Sequence, residues 1–221
     1  MNTSNRNDIV NWIFVVCALA ITGMYIRREF FPPSPPSSLE SAEIDNWRDY
    51  QGGQAMTSGS APVRLVVFSD YECPACRMLS SQIDSILHKY PNKLSVYYRN
   101  FPLPYHKSAR PAAFAAECAA LQGQFRSANK LLFANVDSIG TRPWGRFAAL
   151  AGVADTANFI RCIKDSLPAK IVSRDEADGK RLNVKVTPTF LLDNVRVYGI
   201  PSAEEFDALV EKAIKANKGA H

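Results

Sequence analysis

The sequence predicts an α/β domain whose reactive centre lies where a strand meets a helix. Residues 63–68 form a β-branched run without proline, as expected of a buried strand. Apolar residues then recur at helical spacing over 78–87, and a second strand is predicted over 94–98. Cys73 and Cys76 stand at the turn between the first strand and the helix. These observations predict a βαβ unit with a Cys-x-x-Cys motif at its turn.

The composition is that of a globular domain with an appendage. Of the 221 residues, 47% are apolar and 21% are charged, which excludes a mainly disordered chain, a collagen-like repeat and a multi-pass membrane protein. Lys and Arg number 26 against 21 Asp and Glu, and the net charge of +5 is spread along the chain. This small excess favours an anionic membrane surface only weakly, and we expect no nucleic-acid partner.

An apolar segment near the N-terminus predicts a transmembrane anchor. Residues 9–26 carry no charge, and a single crossing needs at least about 17 apolar residues. Trp12 and Tyr25 lie near the two ends, where amphipathic rings favour the membrane interface. A cleaved signal peptide is the alternative. Apolar residues continue past the small-residue sequence at 18–20, which favours a retained anchor.

A proline-rich spacer follows the anchor. Four prolines within residues 32–38 hold the backbone in the extended polyproline form. Leu39, Ile44 and Trp47 are candidates for a short helix that docks on the folded domain. The predicted organisation is an N-terminal tail (1–8), a transmembrane anchor or uncleaved signal (9–26), a Pro/Ser-rich stalk and linker (27–60), a folded domain (61–216) and a C-terminal tail (217–221).

Cys73 and Cys76 have the spacing and the setting of a redox-active pair. A sulfur at a helix N-terminus faces unpaired backbone N–H groups and the positive end of the helix dipole, and both favour the thiolate. Pro74 suits the first turn, where its missing N–H is no loss. Cys76 comes round one turn to the same side, so that the two sulfurs can form a disulfide. Cys73 is the predicted attacking and attacked sulfur, and Cys76 the resolving one.

A second signature lies at 186–192, Val-Thr-Pro-Thr-Phe-Leu-Leu. A proline inside a strand-like run suits a central strand only if the Thr187–Pro188 bond is cis and the strand begins after it. A hairpin partner over 195–198 and an amphipathic helix over 203–215 complete the domain. Five helices are predicted between residues 101 and 185, at 111–122, 125–135, 143–151, 155–164 and 168–182.

These residues carry a resemblance to a known family. Residues 68–76, Phe-Ser-Asp-Tyr-Glu-Cys-Pro-Ala-Cys, together with 186–190, resemble the DsbA-like branch of the thioredoxin superfamily and most closely its membrane-anchored bacterial thiol–disulfide oxidoreductases. The match runs from about residue 61 to about residue 215. It implies a thioredoxin fold with a helical insertion, at about 101–185, between the second strand and the cis-proline strand. It also implies that Thr187 offers its backbone to a substrate peptide, while Pro188 packs beside Cys73 and keeps metal ions out.

The resemblance implies an enzyme, a protein disulfide oxidoreductase that introduces disulfides into exported proteins. Its Cys73–Cys76 disulfide serves in place of a cofactor. The expected substrates are unfolded or partly folded exported proteins with cysteines. The expected reoxidising partner is a quinone-linked membrane protein of the DsbB or vitamin-K-epoxide-reductase type. The expected location is the bacterial cytoplasmic (inner) membrane, with a single crossing and the catalytic domain on the periplasmic or extracytoplasmic side.

The direction of electron flow stays open at this point. Strongly oxidising relatives carry histidine where this chain has Ala75, and Glu72 adds a negative charge that opposes a Cys73 thiolate. We therefore expect a milder poise than that of the strongest oxidases, and a reductase or disulfide isomerase is the alternative. From another class, the alternative is a non-catalytic, membrane-tethered domain of the same fold that binds peptides or handles metals. Retention of both cysteines tells against it.

The remaining chemistry-bearing residues have two interpretations each. Cys118 and Cys162, in two predicted helices, are either buried free cysteines or a structural disulfide, and the second disulfide of related proteins favours the bridge. Arg99 is expected on a solvated face, and His106 as a surface or capping residue. A zinc site needs a second ligand pair besides Cys-x-x-Cys, and none appears, so we expect no metal and no separate cofactor.

Overall fold

The computed structural model describes residues 40–218 and, before them, only residues 12, 13, 15, 16, 19 and 22. The chain divides into two units, residues 1–38 and residues 39–221. The predicted anchor at 9–26 and the proline-rich spacer lie mostly outside the described residues. Within the part of the chain that the structure describes, no helix has both the length and the apolar character needed to cross a membrane.

A six-stranded mixed sheet runs through the second unit. Its strands are β1 (Ser41–Glu43), β2 (Gln54–Ala55), β3 (Val63–Ser69), β4 (Leu94–Asn100), β5 (Thr189–Leu192) and β6 (Val195–Tyr198). Their order across the sheet is β1-β6-β5-β3-β4-β2. β3 and β4 are parallel, and the other neighbouring pairs are antiparallel. Since parallel strands end at the same edge, the loops that leave β3 and β4 meet there.

Helices cover the sheet and form the insertion. Within residues 40–218 they are α1 (Pro74–Lys89), α2 (Ala109–Ala120), α3 (Phe125–Ala134), α4 (Trp144–Leu150), α5 (Thr156–Lys164), α6 (Ala169–Arg181) and α7 (Ala203–Lys218). Short 3₁₀ turns span Trp47–Tyr50 and Val136–Ser138. The five helices α2 to α6 lie between β4 and β5. The expected α/β fold with a helical insertion is therefore confirmed.

Two strands lie inside residues 27–60, the predicted stalk and linker. β1 pairs with β6 and β2 pairs with β4. The short docking helix expected around Ile44 and Trp47 is found as a 3₁₀ helix at Trp47–Tyr50, whose Tyr50 packs in a buried cluster with Phe68, while β1 precedes it. Leu39 lies outside the described residues. Strands of two or three residues are too short to show an alternating apolar pattern, so the sequence gives no sign of them. The sheet thus extends N-terminal to residue 61.

Arg99 is buried and ion-paired, so the expected solvated position is wrong. Its side chain is 3% exposed, and its guanidinium lies 2.9 Å from Asp175 Oδ1 of α6. The same guanidinium also donates a hydrogen bond to Asp178. A second oxygen of Asp175 accepts the backbone N–H of Asn100 at 3.1 Å. This network fastens the end of β4 to the last helix of the insertion.

The bridge that the resemblance implies between Cys118 and Cys162 is present. It joins α2 to α5, with the two Cα atoms 5.9 Å apart and the two residues separated by 44 positions in sequence. Both cysteines are buried. Closing a loop of this length stabilises the folded state by about 4 kcal/mol in the chain-entropy model, which is an upper figure. The bridge holds two helices of the insertion together.

Candidate active site

The Cys-x-x-Cys motif begins the first helix, as its sequence predicts. Cys73 is the N-cap of α1 with an extended backbone, and Pro74 is the first helical residue. The Cys73 carbonyl oxygen accepts the N–H groups of Cys76 at 3.1 Å and Arg77 at 3.3 Å, which closes the first turn. Both sulfurs are free thiols in this structure. Cys73 is 7% exposed and Cys76 only 1%, so the first sulfur is the more accessible of the two.

The second signature meets the first at the same edge of the sheet. The Thr187–Pro188 bond is cis, as expected, and β5 begins directly after it. β5 runs antiparallel to β3, which leads into Cys73, with Thr189 opposite Phe68. The Cys73 thiol donates a hydrogen bond to the Thr187 carbonyl oxygen, with sulfur and oxygen 3.4 Å apart. The fold therefore places the cis bond against the first sulfur.

The surroundings of Cys73 favour its thiolate. Its pKa is lowered from the ordinary 9.0 to about 5, and the largest cause is a hydrogen bond from the Cys76 thiol. Burial opposes this shift, while the Thr187 side chain and the backbone N–H groups of Cys76 and Ala75 add to it. The Thr187 hydroxyl is buried and has no partner among the described residues. It is therefore available to donate to the sulfur when that sulfur carries charge.

Cys76 has the opposite tendency. Burial raises the pKa of its thiol well above 9.0, and the hydrogen bond with Cys73 raises it further. The side chain of Ser69 and the backbone N–H of Asp70 oppose the shift. The pair therefore carries one proton and one negative charge at neutral pH. The charge lies on Cys73 and the proton on Cys76. This suits nucleophilic attack by Cys73, because the thiolate is the nucleophile.

Glu72 has a hydrogen-bond partner outside the cysteine pair. Its carboxylate accepts the backbone N–H of Ser108 at 2.7 Å, so it is engaged at the start of α2. It is not among the main causes that set the pKa of Cys73. Ala75, the position of the histidine in strongly oxidising relatives, is half-buried and contributes only its backbone N–H. The expected opposition of the Glu72 charge to the Cys73 thiolate stays a prediction.

Asp70 and His106 are the site residues that sequence reasoning missed. The Asp70 backbone N–H donates to Cys76 Sγ at 3.4 Å, and its carboxylate lies 2.8 Å from His106 Nδ1. Asp70 lies within the segment at 68–76 that carries the family resemblance, and Asp70 and His106 follow the ends of the parallel strands β3 and β4. The position of both residues at the edge where parallel strands end is the sequence signal that could have identified them.

In residues 40–218 no group of three or more potential metal ligands is found.

A thioredoxin family model matches residues 51–212 of this sequence. The chain belongs to the thioredoxin family. Among solved structures of the fold, BdbD from Bacillus subtilis superposes with a TM-score of 0.64 at 21% identity, covering 74% of this chain and 93% of that one. The thiol–disulfide exchange protein α-DsbA2 from Wolbachia pipientis gives a TM-score of 0.67 at 16% identity, covering 76% and 92%. This thioredoxin-family chain thus shares its fold with DsbA-like proteins.

The curated relatives of this thioredoxin-family chain are much longer proteins. The Na(+)/H(+) antiporter NhaA 1 of Mycolicibacterium gilvum is 31% identical over 191 residues, covering 85% of this chain and 30% of the antiporter. The Na(+)/H(+) antiporter NhaA 3 of Salinispora tropica is 31% identical over 171 residues, covering 77% of this chain and 25% of that protein. The chain therefore spans less than a third of the length of these relatives.

The lowered pKa of Cys73 predicts reactivity in mild acid. We expect alkylation of the reduced chain by iodoacetamide at Cys73 to reach half its plateau rate at about pH 5, because the thiolate is the reactive form. Its ionisation stabilises the reduced folded state fully above pH 9.0, and this stabilisation is lost as the pH falls to about 5. Peptide mass spectrometry assigns the label. An alkylation rate that reaches half its plateau near pH 9 would contradict the lowered pKa of Cys73 and the hydrogen bonds that cause it.

Proposed function

We propose that the chain is a thiol–disulfide oxidoreductase that introduces disulfides into exported proteins through Cys73 and Cys76. The observation that carries this proposal is the geometry of Cys73. Its sulfur stands at a helix N-terminus, lies 3.4 Å from the carbonyl of cis-bonded Thr187 and has a pKa lowered to about 5. Membership of the thioredoxin family and the fold shared with a thiol–disulfide exchange protein support the same chemistry.

The reaction proceeds in two exchanges. A substrate thiolate attacks Cys73 Sγ of the oxidised chain, the Cys73–Cys76 bond breaks, and Cys76 leaves as a thiolate that takes up a proton. A second substrate thiolate then attacks the substrate sulfur of the mixed disulfide, and Cys73 leaves as a thiolate. The substrate loses two electrons, and the chain gains them. A low pKa makes Cys73 a good leaving group in the second exchange.

The pKa of Cys73 supports an intermediate poise. The value of about 5 falls between about 7 in thioredoxin and about 3.5 in DsbA. We therefore propose an oxidant milder than the strongest oxidases, with reductase or isomerase activity as the second candidate. Reoxidation is assigned to a quinone-linked membrane partner of the DsbB or vitamin-K-epoxide-reductase type.

The cis-proline edge is the proposed peptide site. The Thr187 carbonyl borders the Cys73 sulfur, Pro188 follows across the cis bond, and the adjoining Val186 is 47% exposed, which leaves apolar surface for an extended, unfolded chain. Unfolded or partly folded exported proteins with cysteines are the proposed substrates. Such chains present backbone groups and apolar side chains without a fixed fold, so the site needs no sequence-specific pocket.

We place the domain on the extracytoplasmic side of the bacterial inner membrane, anchored by residues 9–26. The Cys118–Cys162 disulfide supports this, because such bridges persist in oxidising compartments. The antiporter relatives support a position beside a membrane, since each contains a matching segment within a membrane transporter. A membrane-impermeant maleimide applied to intact cells is expected to label reduced Cys73. Labelling only after lysis would contradict this placement.

The function is tested by mixing the oxidised full chain, in detergent, with a reduced unfolded protein that has two cysteines. We expect one substrate disulfide for each Cys73–Cys76 disulfide consumed, and repeated turnover with oxidised glutathione. Cys73→Ala is the matched control for spontaneous oxidation. In the converse assay the reduced chain is mixed with the same substrate in its disulfide form. Reduction there, without oxidation in the first assay, would favour the reductase alternative, and activity in neither assay would favour the non-catalytic one.

Replacing Ala75 with histidine is expected to make the couple more oxidising. An imidazolium beside the motif stabilises the Cys73 thiolate and therefore the reduced form, and each unit by which the pKa falls raises the potential by about 30 mV. Ala75→Gln is the control of similar size without charge. The potential is measured by equilibration with glutathione. No upward shift relative to Ala75→Gln would show that charge at this position does not set the poise.

A further inference from the structure

We propose that the Asp70–His106 pair positions the backbone N–H that stabilises Cys76 as a thiolate, so that His106 sets the reactivity of the buried cysteine. This inference rests on the proposed thiol–disulfide exchange and deepens it. His106 is a positioning residue here, because it acts on the sulfur through Asp70. Sequence reasoning placed it at the surface or at a cap, and the exchange mechanism above does not use it.

The Asp70 carboxylate is buried and held at three points. Its Oδ1 accepts the backbone N–H of Glu72 at 2.7 Å. Its Oδ2 accepts the backbone N–H of Leu103 at 2.7 Å and lies 2.8 Å from His106 Nδ1. Because a carboxylate only accepts hydrogen bonds, Nδ1 is the nitrogen that carries the proton in this contact. Two of the three donors belong to the loop after β4, so this loop fixes the orientation of Asp70.

The main chain of Asp70 contacts both cysteines. Its N–H donates to Cys76 Sγ at 3.4 Å, and its carbonyl oxygen accepts the N–H of Cys73 at 3.2 Å. Rotation of the Asp70 backbone would therefore move this N–H away from Cys76 and loosen the start of α1. The side-chain clamp resists that rotation. Through Asp70, the loop after β4 therefore fixes the position of the N–H that donates to the Cys76 sulfur.

His106 supplies the one side-chain donor in this clamp, since the other two donors are backbone groups. Its ring is half-buried and packs edge-on against Tyr105, with ring centroids 4.6 Å apart. This packing restrains the imidazole and so the Nδ1–H that meets Asp70. Without that donor, the buried Asp70 carboxylate lacks one hydrogen bond, and the loop after β4 no longer holds its orientation as firmly.

The stabilised thiolate appears in the first exchange. When an external thiolate attacks Cys73 Sγ of the oxidised chain, a new disulfide forms, the Cys73–Cys76 bond breaks and its electron pair passes to Cys76. The Asp70 N–H donates to that charge until a proton arrives from water. A better stabilised leaving thiolate departs faster. In the reverse direction the same thiolate is the attacking group, so the assignment holds for either direction of electron flow.

The test compares His106→Phe, which keeps a ring and loses the donor, with His106→Asn, whose amide places a donor near the Nδ1 position. The oxidised full chain in detergent is mixed with reduced glutathione, quenched with acid and resolved by mass spectrometry. Losing one net hydrogen bond from the clamp predicts opening of the Cys73–Cys76 disulfide about two- to tenfold slower in His106→Phe. His106→Asn is expected to react close to the wild-type rate.

Urea unfolding of the three chains verifies that the variants are folded, and His106→Ala replaces His106→Phe if the latter is not. Donor-free variants that react as fast as the wild type would overturn the positioning role while leaving the exchange function intact. Equal slowing in His106→Asn would also overturn it, because the donor would not be the cause. A wild-type chain that does not exchange at all would show instead that the proposed function is wrong.

Discussion

The Cys73→Ser variant is expected to lose thiol–disulfide exchange to the background rate. A serine hydroxyl forms no disulfide, and Cys76 cannot replace the missing sulfur. Cys76 is 1% exposed, and burial raises its pKa well above 9.0, so it is both inaccessible and protonated at neutral pH. The measurement is the initial rate at which the chain, after treatment with oxidised glutathione, oxidises a reduced two-cysteine substrate. Residual exchange near the wild-type rate would show that Cys73 is not the residue that carries out the exchange.

Cys76→Ser is the matched control, because it removes the neighbouring sulfur and keeps the nucleophile. Incubated with a substrate that already holds a disulfide, it is expected to accumulate a mixed disulfide through Cys73, since no second sulfur resolves it. Peptide mass spectrometry of the trapped complex identifies the sulfur. A complex formed through Cys118 or Cys162 would instead show that the structural bridge had opened.

Removal of Arg99 is expected to lower the free energy of unfolding by about 3–5 kcal/mol, the loss typical when one partner of a buried ion pair is deleted. Arg99→Met keeps the apolar part of the side chain but leaves Asp175 without its guanidinium partner in the interior and deprives Asp178 of a hydrogen bond. Urea denaturation of the full chain, monitored by circular dichroism, measures the loss. A change below about 1 kcal/mol would contradict the buried network.

Arg174 provides the surface control for this experiment. It lies 3.6 Å from the same Asp175 oxygen, but its side chain is exposed. Arg174→Met is therefore expected to change the free energy of unfolding by no more than about 1 kcal/mol. A second comparison is the triple variant Arg99→Met with Asp175→Asn and Asp178→Asn. It is expected to recover part of the loss, because it leaves no uncompensated buried charge.

The elements that the sequence predicted correctly are those with a local signal. The βαβ unit, the cis-proline strand and the helices of the insertion each follow from periodicity, proline placement or a motif within a few residues. The helix over 168–182, for example, is found at Ala169–Arg181. The two cysteines could be placed at a helix N-terminus because the strand, Pro74 and the helical pattern adjoin them.

The parts that the sequence could not predict depend on contacts between distant residues. Arg99 meets Asp175 across 76 positions, and Asp70 meets His106 across 36, so neither pairing has a local pattern. The direction of the Glu72 side chain toward Ser108 depends on where α2 begins in space. β1 is placed by its pairing with β6, from the other end of the chain.

The most direct test is equilibration of the full chain with glutathione buffers over a range of pH, followed by alkylation and peptide mass spectrometry. We predict a Cys73–Cys76 disulfide that opens and closes reversibly at a potential between about −270 and −120 mV. Above about pH 5 the reduced pair holds one proton, so the potential should fall by about 30 mV per pH unit. Absence of this disulfide at every glutathione ratio, or a slope of about 60 mV per unit at neutral pH, would contradict the assignment.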